Sequence, residues 1–298
     1  RCAVKRRAPN FRDARTPGPM IFMLDKRQIE ELVAEHGDQV SAGRSIRELI
    51  ADGELPRLKD ATVLEGKVSD SVIGEDLVTR DGHHLRLMFR NNRISTHDVN
   101  RGAIPFKDQV LAFNHAHMLN LVRPILGSSQ FEIPGLMPSS TVIPAENLKL
   151  IMLENVLRLY NAESSTSTSL YQYWLAARKE GRKVTTFAGH ALNVADLEVN
   201  GRLPYLMDTP STKDKEDRTV DVGMLVNNGV CTEQEYVQIR NSSMMAFGVV
   251  SEYLRGRNMV LVDTKTEHGV NSVGQIVVAD EVYTMDSSRF WRLDENNM

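Results

Sequence analysis

Apolar residues recur along this chain in two rhythms. Between residues 61 and 94 the stretches TVLEGKVSDSVIG, DLVTRDG and HHLRLMFRNNRI carry short apolar bursts, with Gly74 and Asp81-Gly82 between them. That pattern predicts antiparallel strands joined by turns. From Lys107 to Leu126 the period lengthens to that of a helix, and Gly127 follows. SSTVIPAENLKLIMLENVLRLY returns to strand texture. A hydroxyl-rich loop, Ser164 to Ser169, opens a helix over Leu170 to Lys179 that Gly181 stops. Thr232 is placed to cap a long amphipathic helix reaching about Arg255, with Gly256 just past its end. NMVLVDTKTE and GQIVVADEVYT read as a closing hairpin around Gly269 to Gly274, whereas KVTTFAG and GRLPYLMDTPSTKDKEDR read as mostly irregular. Near the start, Asp25 can cap a helix with Ile29, Leu32 and Val33 at helical spacing, closed by Gly37, and Ser41 to Ile50 reads as a second short helix. Strands first, then helix plus sheet, predict an α+β fold with two lobes, whose intervening cleft is the default ligand site.

Composition narrows the picture. The chain has 298 residues, 41% hydrophobic and 25% charged, which suits a globular protein large enough to need no staples. A net charge of −3 gives no electrostatic case for nucleic acid. Cys2 and Cys231 form neither a framework nor a metal spacing, so a reducing, cytoplasmic setting is the default. No apolar run approaches a membrane span. The basic, aperiodic opening RCAVKRRAPNFRDARTPGP does not begin with Met. Residues 1–22 are therefore expected to be a leader or non-native extension ahead of a start at Met20 or Met23. The expected organisation is then helices over 23–60, an antiparallel β lobe over 61–150 and an α+β lobe over 151–298.

The chemistry concentrates near the C-terminal end. LVDTKTEHG and ADEVYTMDSSRFW gather Asp263, Lys265, Glu267, Asp280, Glu281 and Asp286. Side chains alternate along a strand, so Asp263, Lys265 and Glu267 share one face. Folding the hairpin about Asn271 is expected to bring Asp263 roughly opposite Asp280. Two carboxylates about 4 Å apart repel by about 1 kcal/mol in water and about 4 kcal/mol at an effective dielectric of 20. Lys265 can neutralise one charge, and the remaining excess suits either a hard divalent cation such as Mg²⁺ or a solvated charged hairpin.

Elsewhere the signals are weaker. The Gly66-Lys67 pair lies early in the first hairpin, where backbone and ammonium can approach phosphates, but an ordinary strand lysine fits as well. NAESSTSTSLYQYW offers hydroxyls and free backbone N–H groups to an anion, or merely over-determines a helix cap. Ser211, Thr212 and Lys213 can hold an anionic group or form a polar surface loop. His115 and His117 stand two apart on a helix and face away from each other, which rules out a zinc pair; His83 and His84 read as exposed near a turn.

Taken in order, these motifs resemble the SAICAR synthetase family, in a longer-form branch. The matching stretches are GKVSD (66–70), NRISTHD (92–98), IPFKDQVL (104–111), Arg158 with the Ser/Thr loop, TPSTK (209–213), DTKTEHG (263–269) and DEVYTMDSSRFW (280–291). The resemblance implies a kinase-like antiparallel β lobe and a larger α+β lobe with ATP between them. It implies a ligase of purine biosynthesis that joins L-aspartate to the carboxylate of CAIR, an imidazole ribonucleotide, through an acyl phosphate. By the same resemblance Gly66, Lys67 and Lys107 bind ATP, and Arg158 with the loop around Ser167 takes the CAIR phosphate. Lys213 lines the cleft, Glu267 and Asp280 hold Mg²⁺, and Asp263, Lys265 and Arg289 face CAIR as the catalytic set. The implied partners are CAIR, L-aspartate and ATP, with no nucleic acid or membrane; a homo-oligomer is allowed. Asp98 and Glu281 are candidates for the group that removes the amine proton.

The chain also departs from the family pattern. Ser69 stands where an arginine is frequent, Asn92 opens a motif usually begun by Asp, and His97 and His268 replace phenylalanines. Leu159 follows Arg158 in place of a small residue, and Met285 replaces a proline. Family chains continue beyond S-R-F-W, so this one, stopping at Met298, is expected to be C-terminally truncated. Two other readings stand beside the ligase: a same-fold enzyme with a different amine acceptor, and a nucleotide-binding protein without turnover.

Overall fold

A computed structural model describes residues 45–66, 69–96, 99–133, 136, 137, 140–213 and 218–293, together with helical positions 27, 30, 31, 34 and 35. Lys67, His97 and Asp98 lie outside the described residues, as do the caps expected at Asp25 and Gly37.

The smaller lobe is an antiparallel sheet in the order β1 (Thr62–Leu64), β2 (Ser69–Val78), β3 (His84–Arg90) and β6 (Val142–Glu146). One face buries Val72 against Ile46 of the short helix Ile46–Ala51 and Leu58, and the opposite face buries Met88 with Ile143 and Ala145. Ser45 and Glu48 cap that helix reciprocally, satisfying backbone donors that would otherwise be orphaned. β4 (Arg93–Thr96) and β5 (Val99–Ala103) form a separate ribbon.

The larger lobe is built on β7 (Lys149–Tyr160) and β12 (Met259–Val270), paired antiparallel at the centre of a six-stranded sheet. β10 (Arg202–Asp208) and β11 (Ser211–Thr212) line the other edge of β7. β13 (Ile276–Val278) and β14 (Ser288–Arg292) share the other edge of β12. The helices Lys107–Leu126 and Glu233–Arg255 cover one face of this sheet. The first buries Leu111, His115, Met118, Leu119, Val122 and Leu126 at helical spacing. The second begins with a Thr232–Glu235 capping box and buries Ile239, Ala246, Phe247, Val250 and Leu254. They meet Leu157, Leu261 and Tyr283 in the main core, where each fully buried large side chain contributes about 1.5–3 kcal/mol. Among the described residues no helix is long and apolar enough to cross a membrane.

Three expectations need correction. The stretches read as irregular contain β8 (Val184–Phe187), β10 and β11, and β9 (His190–Asn193) follows directly on the first of them. Gly189 supplies the positive φ of the β8–β9 turn, and Pro204 is tolerated because β10 lies at the sheet edge. These strands are too short and too interrupted by Pro and Gly for periodicity to expose them. They are held instead by a cluster around Trp174, Phe187, Leu192, Leu203 and Met207. Second, Asp263 does not face Asp280. The tight turn after Asn271 sets His268 opposite Val278 and Gly269 opposite Val277. The chain then leaves the sheet and rejoins at β14, so Asp263 faces Arg289 while Asp280 sits beyond Ala279, whose N–H donates to the Glu267 carbonyl. Third, His83 is half-buried, with Nδ1 3.0 Å from Ser272 Oγ.

Candidate active site

The β7–β12 register decides which charges meet. It sets Arg158 opposite Asp263, Val156 opposite Lys265 and Glu154 opposite Glu267. Because side chains alternate, these residues share the face turned away from the helices, while Leu157 enters the core; a bulge between Leu261 and Asp263 resets the alternation of β12, so Leu261 enters the core as well. The same alternation turns Leu159 into the core, where it packs against the main cluster rather than crowding Arg158. A cleft of about 470 Å³ opens over this face. Arg158, Asp263, Lys265 and Arg289 line it, with Thr166, Thr168 and Ser169 from the hydroxyl loop; Ser167 is exposed and does not.

Cations and acids are matched pair by pair in the cleft and around it. Lys213, Glu267, Lys107, Arg90 and Glu281 lie outside its lining, so, contrary to expectation, Lys213 does not line the cleft. Asp263 receives Arg158 Nη1 at 3.1 Å and Arg289 Nε at 2.8 Å, with Arg289 Nη2 also bound. Arg158 Nε donates to Thr209 Oγ1 at 3.0 Å, and its guanidinium lies 6.0 Å from the Phe187 ring centre. Lys265 Nζ donates to Glu154 Oε1 at 2.6 Å, and Ser211 Oγ donates to the other oxygen at 3.0 Å. Lys213 pairs with Glu267. Lys107 reaches Asp286 at 2.5 Å. Arg90 reaches Glu281 at 3.3 Å, and its partner across the sheet is Ser69.

The surroundings tune these groups. Burial opposes the charge on Lys265, but Glu154, then Glu267 and Asp280, outweigh it and hold the ammonium above the ordinary lysine value. Burial holds Arg158 below the usual arginine value, whereas hydrogen bonding to Asp263 raises Arg289. Burial, then repulsion from Asp280, pushes the Glu281 carboxyl up to about 7. Arg158, Lys265 and Arg289 thus present N–H groups to an anion in the cleft.

On the facing side, Gly66 donates its N–H to Asp70 Oδ1 at 3.2 Å, and its carbonyl accepts Arg93 Nη2 at 2.7 Å. A Cβ at Gly66 would collide with the Ser69 carbonyl oxygen. Gly66→Ala is therefore expected to shift the β1–β2 turn with a stability loss near 1 kcal/mol and, on the ATP role that the resemblance implies for Gly66, to weaken nucleotide binding at least about tenfold. Titration with a fluorescent nucleotide, alongside a thermal melt, checks this.

Glu267 and Asp280 are the two carboxylates available as a metal pair. Asp280 has no hydrogen-bond or ion-pair partner among the described residues, and Glu267 uses only Oε2, toward Lys213. Among the described residues no three His, Cys, Asp or Glu side chains converge on one point. Two hard carboxylates fit Mg²⁺, which commonly takes one or two carboxylates and completes its shell with water and phosphate. A site needing three protein ligands does not fit.

Sequence reasoning missed Glu154, although an acid four residues before Arg158 on an apolar strand was the available signal. It also missed a network behind the cleft. Tyr236 Oη donates to Asp208 Oδ2 at 2.8 Å, and His190 Nε2 donates to the Asp208 carbonyl at 2.8 Å. The hydrogen bond that the His190 ring donates to the Asp208 carboxylate is the main reason His190 holds its proton above the ordinary histidine value. The folded-state pKa is raised, so this contribution is complete below the unfolded value and is lost as pH climbs through the folded one. Wild type is expected to lose roughly 1 kcal/mol relative to His190→Asn on passing from about pH 6 to about pH 8. Urea unfolding across that range measures it.

The SAICAR synthetase family model matches residues 64–298. The chain belongs to that family. It is 27% identical over 286 residues to the chloroplastic phosphoribosylaminoimidazole-succinocarboxamide synthase of Arabidopsis thaliana, covering 96% of this chain and 64% of the relative. The Legionella pneumophila (strain Paris) synthase is 28% identical, over 76% of this chain and 67% of its own length. That of Cytophaga hutchinsonii is 33% identical, over 68% and 61%. The chain thus spans about two thirds of the length of these relatives. Among solved structures, the Saccharomyces cerevisiae SAICAR synthase complexed with SAICAR superposes with a TM-score of 0.63 at 22% identity, over 78% of this chain and 76% of that one. A type-2 SAICAR synthetase in complex with ADP superposes with a TM-score of 0.58 at 20% identity, over 78% and 84%. At those identities the superpositions establish the SAICAR synthase fold, and the α+β, two-lobed expectation agrees with it.

Proposed function

We propose that this SAICAR synthetase family member is an ATP-dependent carbon–nitrogen ligase that joins L-aspartate to the carboxylate of CAIR. The products are SAICAR, ADP and phosphate. The observation that carries this reading is the row Arg158, Asp263, Lys265 and Arg289 on one sheet face, with Glu267 next along β12 and Asp280 following Ala279, whose N–H donates to the Glu267 carbonyl.

A carboxylate is a poor electrophile toward an amine. In the first step a CAIR carboxylate oxygen bonds to the γ-phosphorus and the bond to ADP breaks. In the second the aspartate amine bonds to the acyl carbon, phosphate departs and the nitrogen gives up a proton. Both steps move negative charge over phosphate and carboxylate oxygens, so placed cations serve better than a covalent nucleophile. In our reading Arg158 and the hydroxyl loop hold the ribonucleotide phosphate. Lys265, fixed by Glu154, donates to the reacting carboxylate, and Asp263 keeps Arg158 and Arg289 apart and oriented. Gly66, Lys67 and Lys107 meet ATP. Glu267 and Asp280 would hold Mg²⁺, which neutralises phosphate charge when bound. Cys231 is free and buried, in keeping with the reducing, cytoplasmic setting we assign.

The test is ADP release by the purified chain with Mg-ATP and CAIR, with and without L-aspartate. Release that requires both substrates is the expected result. Release with CAIR and another amine but not aspartate would favour a different acceptor. ATP binding without release from the folded chain would overturn the ligase reading.

A further inference from the structure

We propose that Lys213 is a displaceable counter-cation. In the ligand-free chain its ammonium occupies Glu267. When a divalent cation takes that carboxylate, Lys213 is released toward the phosphate groups of the nucleotide. The inference rests on the metal assignment made under the proposed function.

Charge matching motivates it. Asp263, Glu154 and Asp286 of the cleft each hold a cation, as does Glu281 near it, and Glu267 holds Lys213. Asp280 alone has no such partner among the described residues, so the proposed metal pair is one free carboxylate and one occupied. A lysine and a dication on the same carboxylate would stand a few ångströms apart. Their repulsion at an effective dielectric of 20 is several kcal/mol, so both cannot stay.

The two Lys–Glu pairs differ in how firmly they are built. Lys265 lies on the central strand β12, and its partner Glu154 is fixed from behind by Ser211. Lys213 follows the two-residue strand β11, anchored by its N–H to the Met152 carbonyl at 3.3 Å. Its side chain keeps 32% of its surface exposed, and among the described residues Glu267 has no second side-chain hydrogen-bond or ion-pair partner. The flexible stem of a lysine can swing away there at little cost. Metal binding and phosphate binding are thereby coupled through one side chain: the event that fills Glu267 also frees a cation for the nucleotide.

The coupling predicts effects of opposite sign. Mn²⁺ binding without nucleotide, followed by electron paramagnetic resonance, is to be compared among wild type, Lys213→Met, Lys213→Arg, Lys265→Met and Glu267→Gln. Thermal melts confirm that each is folded. Lys213→Met should tighten Mn²⁺ about tenfold by removing the competitor, while Lys213→Arg stays near wild type. Lys265→Met, which removes the same charge from a neighbouring carboxylate, should change Mn²⁺ affinity less than about threefold. Lys213→Met should also weaken ADP measured in the presence of Mn²⁺. Equal tightening by both methionine variants would reduce the effect to general electrostatics and overturn the proposal. So would Mn²⁺ binding that depends on Glu267 but ignores Lys213→Met, with the metal assignment left standing. Mn²⁺ binding indifferent to Glu267→Gln would remove the metal assignment and this inference together.

Discussion

Asp263→Asn is expected to lower the stability of the chain by about 3 kcal/mol and to reduce ADP release by roughly 10²–10³-fold. Asp263 is the buried carboxylate between two guanidiniums. An asparagine of the same shape can accept one hydrogen bond but turns N–H groups toward a cation. Arg158, with 17% of its side chain exposed, is left with a buried uncompensated charge; Arg289, at 40%, can recover hydration and contributes little to the loss. The turnover loss has a separate origin, because both arginines lose the orientation in which their remaining N–H groups face the cleft. Chemical unfolding and a coupled ADP assay on the same preparation separate the two effects. A variant as stable and active as wild type would remove Asp263 from the centre of the site.

Glu267→Gln combined with Asp280→Asn should behave in the contrary way. Turnover should fall by 10³-fold or more, since neutral amides are poor ligands for a hard cation and the phosphate charge is no longer neutralised. Stability should hold within about 1 kcal/mol or rise. Lys213 loses its partner but is partly solvated, and the repulsion that Asp280 exerts on Glu281 disappears. Mg-ATP affinity, turnover and melting temperature together test this, and unchanged Mg-ATP affinity would refute the metal role.

What the sequence made legible depended on how local each signal was. The helix Lys107–Leu126 was readable to the residue, and Glu233–Arg255 was announced by Thr232, Glu235 and Gly256. Both carry their apolar period over many turns, so no distant contact was needed. The motif residues of the cleft were found for a similar reason: Asp263, Lys265 and Glu267 declare one face by strand alternation alone. The hairpin β8–β9 escaped because its strands are four residues long and held by Trp174 and Leu203 from elsewhere. The placement of Asp280 failed because a single bridge of loop, from Ala279 to Ser287, carries the chain off the sheet, and register cannot be counted across such a gap. Glu154 is the instructive case. Its own strand shows only an acid among apolar residues, and its role exists only once the opposing strand has chosen its register.

That choice has a kinetic side. The strands whose pairing creates the cleft are far apart in the chain: Arg158 and Asp263 are separated by 105 residues. Closing so long a loop is entropically slow relative to forming either covering helix. During refolding the two helices should acquire amide protection early, and β12 should acquire it late, in the step that completes the sheet. Until then Arg158 and Glu154 of β7 lack Asp263 and Lys265, their partners on β12. Pulse-labelled hydrogen exchange should therefore show nucleotide-binding competence appearing together with protection of residues 259–270, rather than gradually as the lobes condense.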